Sequence, residues 1–315
     1  MRIKILDENI RPDFYHPVRL KEMGSFYEIR FAKKKTETKV KKLSANEYMV
    51  IDTGEVKEYR NRTITRAENI ASVKQSMSRL RDLIRTNVTN PRNCRWVTLT
   101  YGRNQCDPKQ LYQDFRRYNQ RFMRYLKNER GTSAEWIAVA EPQGRGAWHM
   151  HVLYIFPKRA PFIPNNDFAK IWRHGWTKFQ ALKQSSDVAL YLTAYLCDMP
   201  LEEAIQNGLS VDPHSLTSKK VGKKTKAIIK GARLNMYPRG MKLYRTSRGI
   251  RRPETYITTE EEAQETIAAN NAHLIYEKTI AVVEEYENIV VNEYNYRQYR
   301  VSDGDTPIEN RIARH

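Results

Sequence analysis

The segment Trp148–Phe156 constrains the fold more than any other stretch of the chain. Apart from His149 and His151 it is apolar at every position, and Pro157 ends it. A run of this length and composition is a strand covered on both faces, which places it in the middle of a sheet. The neighbouring sequence supplies the rest. Trp96-Val97-Thr98-Leu99-Thr100-Tyr101 is rich in β-branched and aromatic residues and reads as a strand. Asp107-Pro108 offers an N-cap and a first helical position. Leu111, Phe115, Tyr118, Phe122 and Tyr125 then mark the buried stripe of a long helix. Trp136 to Ala140 is another apolar strand, and Gly144-Arg145-Gly146 supplies a turn. A helix around Asp167–Arg173, a strand near Trp176–Leu182 and a helix from Ser185 or Ser186 towards Pro200 complete the order. Upstream, Ile70, Val73, Met77, Leu80, Leu83 and Ile84 recur at helical spacing. The expected class is α+β: an antiparallel sheet with the His149-Met150-His151 segment on a central strand and helices packed on it.

Charge points to the partner. The 315 residues carry 55 Lys and Arg against 36 Asp and Glu, a net charge of +19. Such an excess fits a polyanion, and nucleic acid is the commonest one. The densest basic stretch runs from Lys219 to Arg252 and contains no Asp or Glu. It includes Lys223, Lys224, Lys226, Arg233, Arg245 and Arg248, with Tyr237 and Tyr244 among them. Cations neutralise phosphates and aromatic rings stack on unpaired bases, so these residues are candidate DNA contacts. A solvated loop in a basic protein is the plainer alternative. Residues 254–315 are acidic instead, either a separate module or an internal mimic of DNA. The chain thus reads as a strand-rich basic region over 1–64, a central domain over 65–252 and an acidic region over 253–315. Cys94, Cys106 and Cys197 form no disulfide framework and no CxxC spacing. No apolar run has the length of a membrane span, and Met1-Arg2-Ile3-Lys4-Ile5 lacks the apolar core of a secretory leader. A cytoplasmic protein with no membrane partner is expected.

Two groups of residues carry chemistry. In a strand, His149 and His151 point to one face and make a natural pair of divalent-metal ligands. Glu141 ends the preceding strand. If the two strands pair with Glu141 opposite His149, its carboxylate joins that face; a slip of one residue removes it. Such a mixed carboxylate and imidazole set suits Mg²⁺ or Mn²⁺. An HxH pair alone also fits ordinary polar packing. Tyr191 and Tyr195 stand four apart, so on a helix both phenols share a face. A tyrosine can attack phosphorus and hold the cut strand. Yet Val188, Leu192, Tyr195 and Met199 also make a core stripe. His174, in Arg173-His174-Gly175, reads as a turn residue.

Taken in order, Trp96-Val97-Thr98-Leu99-Thr100, Trp148-His149-Met150-His151-Val152-Leu153 and Tyr191-Leu192-Thr193-Ala194-Tyr195 resemble the three motifs of HUH-superfamily replication initiators. Among these, the rolling-circle replication proteins of plasmids and single-stranded DNA phages are the most similar in pattern. Glu141-Pro142-Gln143-Gly144-Arg145-Gly146 and the later Arg233–Pro238 and Tyr244–Gly249 stretches also look like that pattern, which covers roughly residues 90–252. The resemblance implies a sheet like that of an RNA-recognition motif. It implies that His149 and His151 bind the metal with Glu141 as third ligand. It also implies that Tyr191, Tyr195 or both nick single-stranded origin DNA, leaving a 5′-phosphotyrosine and a free 3′-OH. The family often has a lysine three residues after each tyrosine; here those positions are Ala194 and Asp198. Another cation, Lys183 or Arg145, must then serve the phosphate, or activity is reduced. No GxxxxGK[ST] phosphate loop is present, so a host or partner helicase would unwind the duplex and a polymerase would extend the 3′ end. A Y2-type transposase or relaxase would use the same chemistry. A non-catalytic DNA-binding regulator would bind without cutting.

Overall fold

The computed structural model describes residues 2–35, 39–44, 46–59, 64–182, 189, 198–206, 208, 216–221, 224–284 and 289–301. It is a mixed α+β protein whose sheets are antiparallel. The chain divides into two compact units. One combines Met1–Arg62 with Arg252–His315, and the other is Thr63–Arg251.

The central unit is built on a five-stranded sheet. Its order is Thr177–Ala181, Cys94–Thr100, Trp148–Ile155, Glu135–Pro142, Tyr244–Thr246, which puts the histidine strand in the middle. One face packs on the helix Pro108–Arg130. Tyr154 meets Phe122 there at 4.8 Å between ring centroids and bonds Asn119 through its hydroxyl at 3.0 Å. Asp107 caps that helix as expected, its side chain accepting from Lys109 N with Pro108 following, and Gly131 ends it in a left-handed conformation. Its buried stripe is Leu111, Phe115, Tyr118, Phe122 and Leu126; Tyr125 is only half-buried. Core positions of the sheet, such as Val97, Leu99, Ala138, Ala140, Met150 and Val152, are almost fully buried. The opposite face carries Thr98, Thr100, Glu141, His149 and His151. The expected helix near Ser185–Pro200 lies outside the described residues, save Ala189. The basic stretch contributes paired strands, Leu216–Val221 and Lys224–Ile229, with Lys219 across from Lys226.

The two terminal regions, far apart in sequence and opposite in charge, share one unit. A six-stranded sheet runs Arg2–Ile5, Ala272–Val283, Val290–Val301, Phe26–Ala32, Pro17–Met23, Glu254–Thr259. The helix Glu260–Ala269 starts at a capping box between Thr259 and Glu262 and buries Ala263 and Ile267 against Val18, Leu20, Tyr27, Ile29, Phe31 and Tyr299. The acidic C-terminal strands meet basic N-terminal ones: Arg11 pairs with Glu277 at 2.7 Å and Lys33 with Glu293 at 2.5 Å.

A candidate metal centre on the central strand

Pairing sets the site. Glu141 stands directly opposite His149 in the hairpin formed by Glu135–Pro142 and Trp148–Ile155. On the other side of the histidine strand, Thr98 is opposite His151 and Thr100 opposite His149. The tight Gln143–Ala147 connection fixes this register. Gln143 N bonds Ala147 O at 2.7 Å, and Gly146 adopts φ +86°, a conformation open to glycine. Glu203 Oε1 also accepts from Gly144 N at 2.8 Å.

The side chains converge accordingly. His151 Nε2 and Glu141 Oε2 form a short hydrogen bond. Thr98 Oγ1 lies 3.2 Å from His151 Nδ1, and the Trp96 ring stacks on the imidazole at 5.4 Å and 10°. A threonine hydroxyl can donate or accept, so it supports either tautomer of His151. The His149 ring is 6.3 Å from that of His151, and its Nε2 is buried without a hydrogen-bond partner. Burial, then the neighbouring His151, push the His149 pKa down to about 4, and the pull of Glu141 offsets this only in part. His149 is therefore a neutral imidazole at physiological pH, with a lone pair free to coordinate. Burial would raise the Glu141 carboxyl. The His151 hydrogen bond and charge, followed by the charges of Arg233 and His149, outweigh it and hold Glu141 below the ordinary carboxylate range.

Among the described residues no group of three His, Cys, Asp or Glu side chains stands ready-made around a cation position. The donor chemistry nonetheless fits one. The orphaned His149 Nε2 costs free energy unless something occupies it, and a cation can replace the proton between His151 and Glu141.

Arg233 corrects the sequence expectation. Its place in the basic stretch predicts a surface cation on DNA, but it is only 5% exposed. Its Nε lies 3.2 Å from Glu141 Oε1 and donates to Asp198 O at 2.9 Å, its Nη2 pairs with Glu203 Oε2 at 2.7 Å, and its Nη1 donates to Pro142 O. The guanidinium is consumed in holding Glu141 and the turn, so it positions the site rather than meeting phosphate. Tyr237 differs in the same way. Its setting among cations predicts a stacking face, but it is buried, donates to Ala140 O at 2.7 Å and packs edge-on against Trp148. The apolar neighbours Leu234 and Met236 are the sequence signal that this stretch turns inward.

Arg145 is exposed on the hairpin turn, its Nε donating to Gln143 at 3.2 Å. Arg245 and Arg248 are exposed, and Arg245 lies over the Tyr112 ring at 3.6 Å. Lys224 and Lys226 sit on the strand Lys224–Ile229. Tyr191, Tyr195, Lys183 and Lys223 lie outside the described residues. His174 follows the short helix Asn165–Trp172 in a turn, 3.6 Å from Asp114.

The fold and site thus define an α+β protein with a histidine–carboxylate centre on the middle strand of an antiparallel sheet. Residues 94–199 match the family described as Replication-associated protein ORF2. The match spans about a third of the chain, contains Glu141, His149 and His151, and supports a replication initiator protein. No curated protein and no solved structure matches the chain. No helix among the described residues is long and apolar enough to cross a membrane.

Proposed function

We propose that this protein is an HUH-type initiator of rolling-circle replication, a metal-dependent endonuclease and strand transferase that nicks single-stranded origin DNA with a tyrosine. The observation that carries the proposal is the register that sets Glu141 opposite His149 and beside His151, inside the segment that matches a replication-associated family. The histidine strand in the middle of an antiparallel sheet, with the helix Pro108–Arg130 on the opposite face, favours a sheet like that of an RNA-recognition motif.

Glu141, His149 and His151 would hold Mg²⁺ or Mn²⁺. Bound there, the ion would polarise the scissile phosphate and offset charge developing on its oxygens. The protein's own residues do the rest. Trp96 and Thr98 orient His151, and Arg233 keeps Glu141 ionised and aimed at the pair. Tyr191 or Tyr195 supplies the nucleophile. Its phenol oxygen bonds to phosphorus as the phenol proton is lost, the P–O3′ bond breaks, and the departing 3′ oxygen takes up a proton. A 5′-phosphotyrosine and a free 3′-OH result. The ester conserves the phosphodiester energy, so the strand can be rejoined, and the second tyrosine can make a second cut. Arg145 and Lys183 are the cations proposed to meet the phosphate where the lysines common in such motifs are Ala194 and Asp198. Lys223, Lys224, Lys226, Arg245 and Arg248 would track the strand. A host or partner helicase and polymerase would unwind and extend.

The test is a denaturing gel of the full chain incubated with a labelled single-stranded origin oligonucleotide and Mn²⁺ or Mg²⁺. A slower, nuclease-sensitive band is expected, absent with EDTA and absent for the Tyr191→Phe/Tyr195→Phe double variant. An adduct that persists in that variant would assign the nucleophile elsewhere and overturn the tyrosine step.

A further inference from the structure

A cavity of ≈ 620 Å³ opens at the edge of the five-stranded sheet. It is lined by Arg66, Arg79, Lys242 and Arg245, together with Ser76 and Tyr244 among others. Among the described residues that line it, none is acidic. Three separate elements bring the four cations together: the segment before the helix Ile70–Asn87, that helix itself, and the edge strand Tyr244–Thr246 with the residues leading into it. Several contacts hold this arrangement in place. Arg245 lies over the Tyr112 ring at 3.6 Å, and the Tyr112 hydroxyl donates to Lys242 O at 2.9 Å. Arg66 N donates to Tyr237 O at 3.1 Å, while the Arg66 Nε is buried and has no hydrogen-bond partner. Four like charges around one cavity repel one another, and an unpaired buried guanidinium nitrogen adds a desolvation cost. Both costs disappear when an anion enters.

We infer that this cavity seats the phosphodiester backbone of the single-stranded DNA that the catalytic site acts on. The edge strand pairs with Glu135–Pro142, and Tyr244 stands opposite Val139, which shares a face with Glu141 two residues further on. Neighbouring strands lie about 4.8 Å apart, so DNA leaving the site over this edge passes directly into the cavity. The cavity is larger than a single phosphate ion needs, and Tyr244 in its wall gives a neighbouring base an aromatic face. The inference rests on the DNA-cutting function proposed above and names the track that the substrate follows.

Arg79 and Lys242 are exposed, so their removal leaves the fold intact. The experiment measures binding of a labelled single-stranded oligonucleotide to the full chain in EDTA, where no cutting occurs, over a range of salt. The Arg79→Ala/Lys242→Ala variant is compared with Arg116→Ala/Lys127→Ala, which removes the same charge from exposed positions on the helix Pro108–Arg130. Each phosphate contact contributes a slope of about −0.7 for single strands, so the cavity variant should lose about 1.4 of slope and about tenfold in affinity, and the control variant little of either. Equal losses in both variants would reduce the effect to net charge and overturn the inference. A second arm adds inorganic phosphate and follows thermal stability. Stabilisation of the wild type but not the cavity variant, with an unchanged DNA slope, would make the cavity a small-anion site and also overturn it. A cavity-dependent slope in a protein that never cuts would sink the nicking proposal and leave the DNA track standing. Normal nicking with an unchanged slope would sink the track alone.

Discussion

The unit made of Met1–Arg62 and Arg252–His315 holds 21 Lys and Arg against 23 Asp and Glu, whereas Thr63–Arg251 holds 34 against 13. Their net charges are −2 and +21. Both are antiparallel sheets with helices, so architecture does not explain the difference. The disposition of charge does. In the terminal unit the ions pair within the fold. Arg297, fully buried, forms a two-pronged contact with Glu260, which also accepts from Gln264 at 2.7 Å. Glu28 is shared by Lys21, Arg30 and Tyr296. In the central unit buried ions serve the site, as Arg233 serves Glu141, and other cations line a cavity without a carboxylate. The terminal unit uses its charge on its own structure, and the central unit keeps a surplus for a polyanion.

This contrast is open to direct attack. The largest effect should come from His149→Ala and His151→Ala. Each should lower nicking about a hundredfold or more while leaving most DNA affinity, because the basic surface does the binding. Activity retained by the double histidine variant in EDTA would remove the metal centre from the central unit. Next comes the pair of buried arginines. Arg233→Ala strands Glu141 and should cost about 3–5 kcal/mol, and Arg297→Ala should cost a similar amount by stranding Glu260. Removing both partners of each pair should separate the two cases. Replacing Arg297 and Glu260 together by apolar residues of similar volume should restore stability, measured by denaturant unfolding, without altering nicking. No such double replacement at Arg233 and Glu141 should restore activity. Recovery of nicking there would show that the Arg233 network is merely structural.

A smaller effect concerns acid. Burial would raise the Glu28 carboxyl, but Arg30 and Lys21 hold it below its ordinary range, and the Arg11 hydrogen bond does the same for Glu277. A carboxylate depressed in the folded state contributes stability that is present above its unfolded pKa and lost as pH falls through the folded value. The terminal unit should therefore lose melting temperature on acidification below the ordinary carboxylate range near 4.5. Glu28→Gln should flatten that loss. An unchanged pH profile in Glu28→Gln would mean that its ion pairs add nothing. The smallest expected change is Lys224→Ala with Lys226→Ala, which should lower the salt slope of single-strand binding by about 1.4 without moving the cleavage position.

Local pattern alone determined much of the central unit. The apolar run at Trp148–Phe156 specified a central strand, Asp107-Pro108 a helix start, and the glycines at 144 and 146 a tight hairpin, because strand burial, capping and turn geometry each leave a signature within a few residues. The metal-ligand candidates were legible for the same reason, since i and i+2 in a strand share a face. Register was not: Glu141 opposite His149 depends on the number of residues in the turn as it folds, and one residue more or less sends the carboxylate away. Tertiary structure alone decided the fate of Arg233 and Tyr237, which sit in the most basic stretch of the chain and yet are buried. A cation in a basic run looks like a surface residue until a carboxylate from another strand is brought to it. It alone joined the two ends of the chain as well. Arg11 and Glu277 are separated by most of the sequence, and pairing across that distance is driven by burial and charge complementarity in the folded sheet, which leave no periodicity in either segment.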